Sequence, residues 1–89
     1  MTPPVFTVLV VDDEELYARA IGRELGRQGI TCDLAHSGRD ALRQVKSRGY
    51  QVILLDHRLP DEDGIRIIPL LLARQPLSLI HISEPTRRS

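Results

Sequence analysis

Cysteine is almost absent from these 89 residues: Cys32 stands alone. No internal disulfide can form, which fits a reducing, cytoplasmic setting and leaves Cys32 as a small strand residue. Aromatic residues make up only 3% of the chain, too few for base-stacking platforms. No charge of either sign prevails, because twelve basic residues balance twelve acidic ones. That balance supplies neither the basic field that holds nucleic acid nor an acidic tail, so no direct nucleic-acid binding is expected. Apolar runs fall far short of the ~20 residues that span a bilayer, and no membrane partner is expected. No basic n-region opens the chain at Met1-Thr2-Pro3-Pro4. The length allows one domain, and a small one that buries a lower share of its surface than a full α/β domain.

What the chain does contain is concentrated in Val8-Leu9-Val10-Val11-Asp12-Asp13-Glu14. The apolar run lacks the alternation of a half-solvated strand and reads as a central parallel strand, buried on both faces. Two adjacent carboxylates then fall at its carboxyl end, the edge where open α/β sheets bind ligands. Neighbouring acids repel, and a hard cation such as magnesium relieves them through oxygen ligands. A second reading makes Asp13 a helix N-cap, with Glu14 and Glu15 set against the macrodipole. The two readings do not exclude each other, and these residues alone do not separate them.

Along the chain, prolines 3 and 4 keep the lead-in extended and out of the sheet. A first strand is expected over about Val5 to Val11. Helical periodicity follows from Glu14 to Gln28, with Leu16, Ala20, Ile21 and Leu25 on one face and Gly29 as its stop. Thr31 to Ala35 reads as a short strand near an edge. Ser37 caps a second helix, whose stripe is Ala41, Leu42 and Val45 and whose end is Gly49. Gln51-Val52-Ile53-Leu54-Leu55-Asp56 repeats the logic of the first strand, an apolar run ending in an acid. Right-handed βαβ crossovers bring such strands into one parallel sheet. If the first and third are neighbours, Asp12, Asp13 and Asp56 converge, and three acids from two strand ends are hard to explain as caps. In the loop Leu59-Pro60-Asp61-Glu62-Asp63-Gly64, Pro60 presets φ, and Gly64 permits a tight approach or a positive φ. Asp63 is a candidate cap for a third helix over Ile65 to Arg74. Pro69 inside that helix predicts a kink or a late start. Ile67, Ile68, Leu70, Leu71 and Leu72 predict that most of its girth is covered.

Three linked motifs in order, V-L-V-V-D-D-E at 8–14, L-L-D at 54–56 and L-P-D-E-D-G at 59–64, resemble the receiver domain of bacterial two-component response regulators. The resemblance covers about Val5 to Pro76. It implies a flavodoxin-like, doubly wound parallel α/β sheet with strand order 2-1-3-4-5. It implies Asp56 as the phosphoacceptor and Mg²⁺ held by Asp12, Asp13, Asp56 and the backbone carbonyl of Arg58. Pro60 and Gly64 would shape the loop behind the acceptor, and the Arg58 side chain would sit over the phosphoryl group, unless it and His57 are simply solvated loop residues. His36 reads as a loop residue. The implied partner is a sensor histidine kinase. The composition of D-H-R-L-P-D-E-D-G resembles receivers joined to transcriptional-activator ATPase and DNA-binding modules, implying a C-terminal output domain outside this chain.

The family also places a Ser or Thr at the end of the fourth strand and a Lys at the end of the fifth. A full receiver runs to roughly 120 residues, and the one lysine here, Lys46, falls in the second helix. His81 falls about where the hydroxyl residue belongs, with Ser83 two places late. Every residue of Leu77-Ser78-Leu79-Ile80-His81-Ile82-Ser83-Glu84-Pro85-Thr86-Arg87 matches the in-frame translation of a transposase-type sequencing adapter. The expectation is therefore an incomplete receiver, βαβαβα over residues 1–76, followed by a non-native tail over 77–89 that is apolar enough to form a spurious fourth strand. Two other functions compete with the phosphoacceptor. A non-phosphorylated interaction module of receiver fold leaves the acid trio unexplained. A phosphotransferase with Asp12 as nucleophile wants an acid two places on and finds Glu14, which leaves the loop at 59–64 without a role. A dinucleotide-binding domain lacks its Gly-rich turn after the first strand.

Overall fold

Every residue of the first apolar run is buried, so the strand it forms must be covered on both sides. In the computed structural model, which describes residues 6–61 and 63–83, that strand is β1 (Thr7–Val11). It is followed by α1 (Glu15–Arg27), β2 (Thr31–Ala35), α2 (Gly38–Ser47), β3 (Val52–Asp56), α3 (Gly64–Arg74) and β4 (Leu79–Ser83). The strands form one parallel sheet in the order β2-β1-β3-β4. This is the doubly wound fold expected, with β2 at an edge and β4 arising where the apolar residues Leu79, Ile80 and Ile82 allowed a strand. The extended lead-in at Met1–Pro4 falls outside the described residues.

Side-chain alternation along β1 splits the core in two. Leu9 and Val11 join Ile53 and Leu55 beneath α2 and α3, where Ala41, Val45, Ile67 and Leu71 close the layer. Val8 and Val10 face α1, packing on Ala18, Ile21 and Leu25. The expected stripe of α1 needs correction here. Ala18 is the residue fully buried against the sheet, and Leu16 is 83% exposed. A side chain without bulk at the contact lets the helix lie close, and that turns Leu16 and Ala20 outward. The helix ends as predicted: Gly29 takes φ +82°, the Ile30 N–H donates to Leu25 O and the Gly29 N–H to Gly26 O, which closes a Schellman cap.

Helix α2 starts as expected, with Ser37 Oγ accepting from the Asp40 N–H at 3.0 Å. It ends at Ser47 with Arg48 extended at its C-cap, which leaves Gly49 just past the end, the place Gly29 holds after α1. Away from the acids, Tyr50 and Gln75 fasten the amino-terminal edge. The buried Tyr50 hydroxyl donates to Asp33 Oδ2 at 2.7 Å, and burial followed by that bond pushes its pKa up. The Gln75 amide donates to Val45 O and Arg48 O, tying α3 to the end of α2.

Helix α3 shows no late start, one of the two outcomes Pro69 allowed, and it departs from expectation in its girth. It begins at Gly64, so Pro69 does not delay its start; the ring removes only one donor, toward the Ile65 carbonyl. Its girth is covered only in part: Ile67 and Leu71 are buried and Ile68 packs on the core, but Ile65, Leu70 and Leu72 are exposed, as is Leu79 on β4. An apolar face of that kind drives association. In sedimentation velocity the 89-residue chain should therefore grow in mean mass with concentration. Leu70→Lys together with Leu72→Lys should return it toward monomer, and no change on that double substitution would mean that another surface associates.

Candidate functional site

β1 and β3 are hydrogen-bonded neighbours, with Val11 level with Leu55, so the acids that follow both strands emerge side by side. Asp12 is 2% exposed and Asp56 5%, while Asp13 is open to solvent. One carboxylate oxygen from each of Asp12, Asp13 and Asp56 can be chosen so that all three lie within 4.8 Å of one another. The expected convergence is thus present, two acids below the surface and one at the rim.

Backbone and loop contacts hold the trio. The Asp12 N–H continues the ladder to Ala35 O at 2.9 Å, and Asp12 Oδ1 accepts from the Glu14 N–H at 2.9 Å. Glu14, not Asp13, occupies the N-cap of α1, and no side chain caps that helix, so the capping role weighed for Asp13 is not the one it takes. His36, read as a plain loop residue, has Nδ1 3.2 Å from the Asp12 carbonyl oxygen and braces the β1 end from the β2–α2 loop.

Behind Asp56 the chain turns tightly. Arg58 and Asp63 form an isolated antiparallel bridge, and the Gly64 N–H donates to His57 O at 2.8 Å. Arg58 is exposed, and the His57 Nδ1 atom is buried with no hydrogen-bond partner among the described residues. Asp63 is the N-cap of α3 without a side-chain cap bond. The unexpected anchor is Asp61. Its Oδ1 accepts from the Gly38 N–H at 2.8 Å and its Oδ2 from the Arg39 N–H at 2.9 Å. Those two amides, Gly38 first, hold its carboxyl below the usual range. No local pattern announces such a bond, because its donors lie 22 and 23 residues away.

On β4, backbone register sets two residues against β3. Ser83 pairs with Asp56 and His81 with Leu54, so Ser83 is the residue level with the acid. A small cavity of about 140 Å³ opens between Asp12, Asp56, Tyr17 and His81. Carboxylates are hard oxygen donors, and three within this span suit a hard divalent cation that keeps some of its water.

A parallel α/β sheet with acids gathered at its carboxyl edge, where open sheets of this kind bind ligands, is a domain of the doubly wound class. The family model described as the response regulator receiver domain matches residues 8–87, and the chain belongs to that family. Over 81 residues it is 35% identical to a protein-glutamate methylesterase/protein-glutamine glutaminase of Archaeoglobus fulgidus, which covers 90% of this chain and 23% of that protein. It is 33% identical over 76 residues to the response regulator ArlR of Staphylococcus saprophyticus, covering 85% of this chain and 34% of that one. The chain thus spans about a quarter to a third of the length of these relatives. Among solved structures, a response regulator protein from Burkholderia pseudomallei, holding a phosphorylated aspartic acid, a calcium ion and citrate, superimposes with a TM-score of 0.84 at 30% identity, over 86% of this chain and 45% of that one. A CheY-like receiver domain protein from Methanospirillum hungatei shares the fold with a TM-score of 0.85 at 19% identity, over 89% of this chain and 63% of that one. A receiver domain is a phosphoacceptor rather than a true enzyme. Among the described residues no helix is long and apolar enough to cross a membrane.

Proposed function

We propose that this domain accepts a phosphoryl group from a sensor histidine kinase on Asp56, with Mg²⁺ held by Asp12, Asp13, Asp56 and the backbone carbonyl of Arg58, and so regulates an output domain outside this chain. The observation that carries the reading is the meeting of three carboxylates from two strand ends. The phosphorylated aspartic acid in the Burkholderia pseudomallei relative supports it. When bound, Mg²⁺ supplies positive charge that lets an anionic nucleophile approach an anionic phosphoryl group. Asp56 contributes the attacking oxygen: its O–P bond forms as the donor's P–N bond breaks, and the departing imidazole takes up a proton. Asp12, fixed through its backbone bond and its Glu14 contact, keeps its carboxylate beside that oxygen. Asp13, at the rim, is the acid that bulk cations meet first.

Asp13→Asn should therefore weaken Mg²⁺ binding about tenfold, on the order of 1.4 kcal/mol. With one of three clustered charges removed, metal-free stability should hold or rise. Calorimetric titration and thermal melts check both. Unchanged Mg²⁺ affinity with lower stability would make Asp13 a structural residue and remove it from the site.

We also propose that residues 77–89 are a non-native tail following a receiver segment at 1–76. The adapter-like run from Leu77 to Arg87 supports this, and the strand within it follows from its apolar content whatever its origin. Reading the uninterrupted genomic locus past codon 76 tests it: the same codons there would make the tail part of the protein.

A further inference from the structure

We infer that Asp61 is a positioning residue that couples the metal site to the start of α2; the inference rests on the Mg²⁺ reading above. The loop between Asp56 and α3 is tied at its base by the Arg58–Asp63 bridge and the Gly64-to-His57 bond, and Leu59 is sunk in the core. Its outer end is tied by the two bonds from Asp61 to the Gly38 and Arg39 amides. The Arg58 carbonyl, the backbone ligand proposed for the metal, belongs to this doubly anchored loop. Helix α2 has its own cap in Ser37, which takes the Asp40 N–H, and the Ala41 N–H returns to Ser37 O. Asp61 takes the two amides that remain in that first turn, so a carboxylate from the loop at the metal site completes a helix start 22 residues upstream.

Coupling of this kind is reciprocal. If losing the clasp loosens the metal site, binding of Mg²⁺ must strengthen the clasp by the same factor. The α2 start then senses occupancy of the acid site through one side chain.

The test uses the 89-residue chain, with Mg²⁺ titrated against wild type, Asp61→Ala and Asp61→Asn and followed by amide NMR shifts. Asp61→Ala should lower Mg²⁺ affinity about tenfold, the low end for residues that support metal ligands. Asp61→Asn keeps one acceptor oxygen and should fall between. In wild type, saturating Mg²⁺ should slow hydrogen exchange at the Gly38 and Arg39 amides by the factor lost in Asp61→Ala. That last measurement needs no substitution and stands even if Asp61→Ala does not fold. Wild-type affinity retained in the variants, or exchange at Gly38 and Arg39 indifferent to Mg²⁺, would reduce Asp61 to a helix cap. Failure of the wild type itself to bind Mg²⁺ would instead overturn the metal site, and this inference with it.

Discussion

Gly64→Ala is expected to cost about 3 kcal/mol, the upper range for forcing atoms into a filled space. An ideal Cβ at residue 64 would stand 2.1 Å from the Asp56 carbonyl oxygen and 3.2 Å from its carbonyl carbon. Both are backbone atoms, so no side chain can swing away to make room. Gly64 does not have a positive φ; Gly29 alone does among the described residues. The requirement for glycine is therefore one of approach, and it answers the question the sequence left open between a tight contact and a left-handed turn. The Gly64 N–H to His57 O bond draws the start of α3 against the end of β3, and a methyl group would pry them apart. For a domain of this size each kcal/mol moves the melting temperature by roughly 4–8 °C, so a fall of more than about 12 °C is expected in a thermal melt. Because the displaced atoms belong to Asp56, Mg²⁺ affinity should fall as well. A variant that melts within a degree or two of wild type would mean that the loop relaxes without cost.

Much of this fold was legible because its strongest signals are local. The unbroken apolar runs at Val8–Val11 and Val52–Leu55 read as central strands, and the structure makes them neighbours, which is the condition on which Asp12 and Asp56 meet. Ser37 and Gly29 announced a helix start and a helix end through side-chain and φ requirements that act within a few residues. What was misread depends on the third dimension. Leu16 fits the helical period as well as Ala18 does, yet contact with the sheet selected the smaller residue. The exposed side chains of α3 look like core residues in one dimension. Ser83 lies level with Asp56 only through pairing with β3, which spacing along the chain does not express. His36 and Asp61 carried no motif because their partners are backbone groups more than 20 residues away.

Asp56→Asn is expected to abolish phosphoryl uptake. The substitution keeps nearly the same shape in a position only 5% exposed, so the sheet and loop should stand. The neutral amide is a far weaker nucleophile than a carboxylate and takes a charge out of the proposed metal site, so both the attacking atom and part of the Mg²⁺ affinity are lost. Relief of repulsion among the acids should leave the metal-free variant as stable as wild type or more so, which separates loss of chemistry from loss of fold. The deciding measurement is intact-mass spectrometry of the 89-residue chain and its Asp56→Asn variant after incubation with acetyl phosphate, with Mg²⁺ and with chelator. A single added phosphoryl group on wild type, dependent on Mg²⁺ and missing from the variant, is the predicted result. Equal addition to both chains, or addition to wild type that chelator does not diminish, would contradict it.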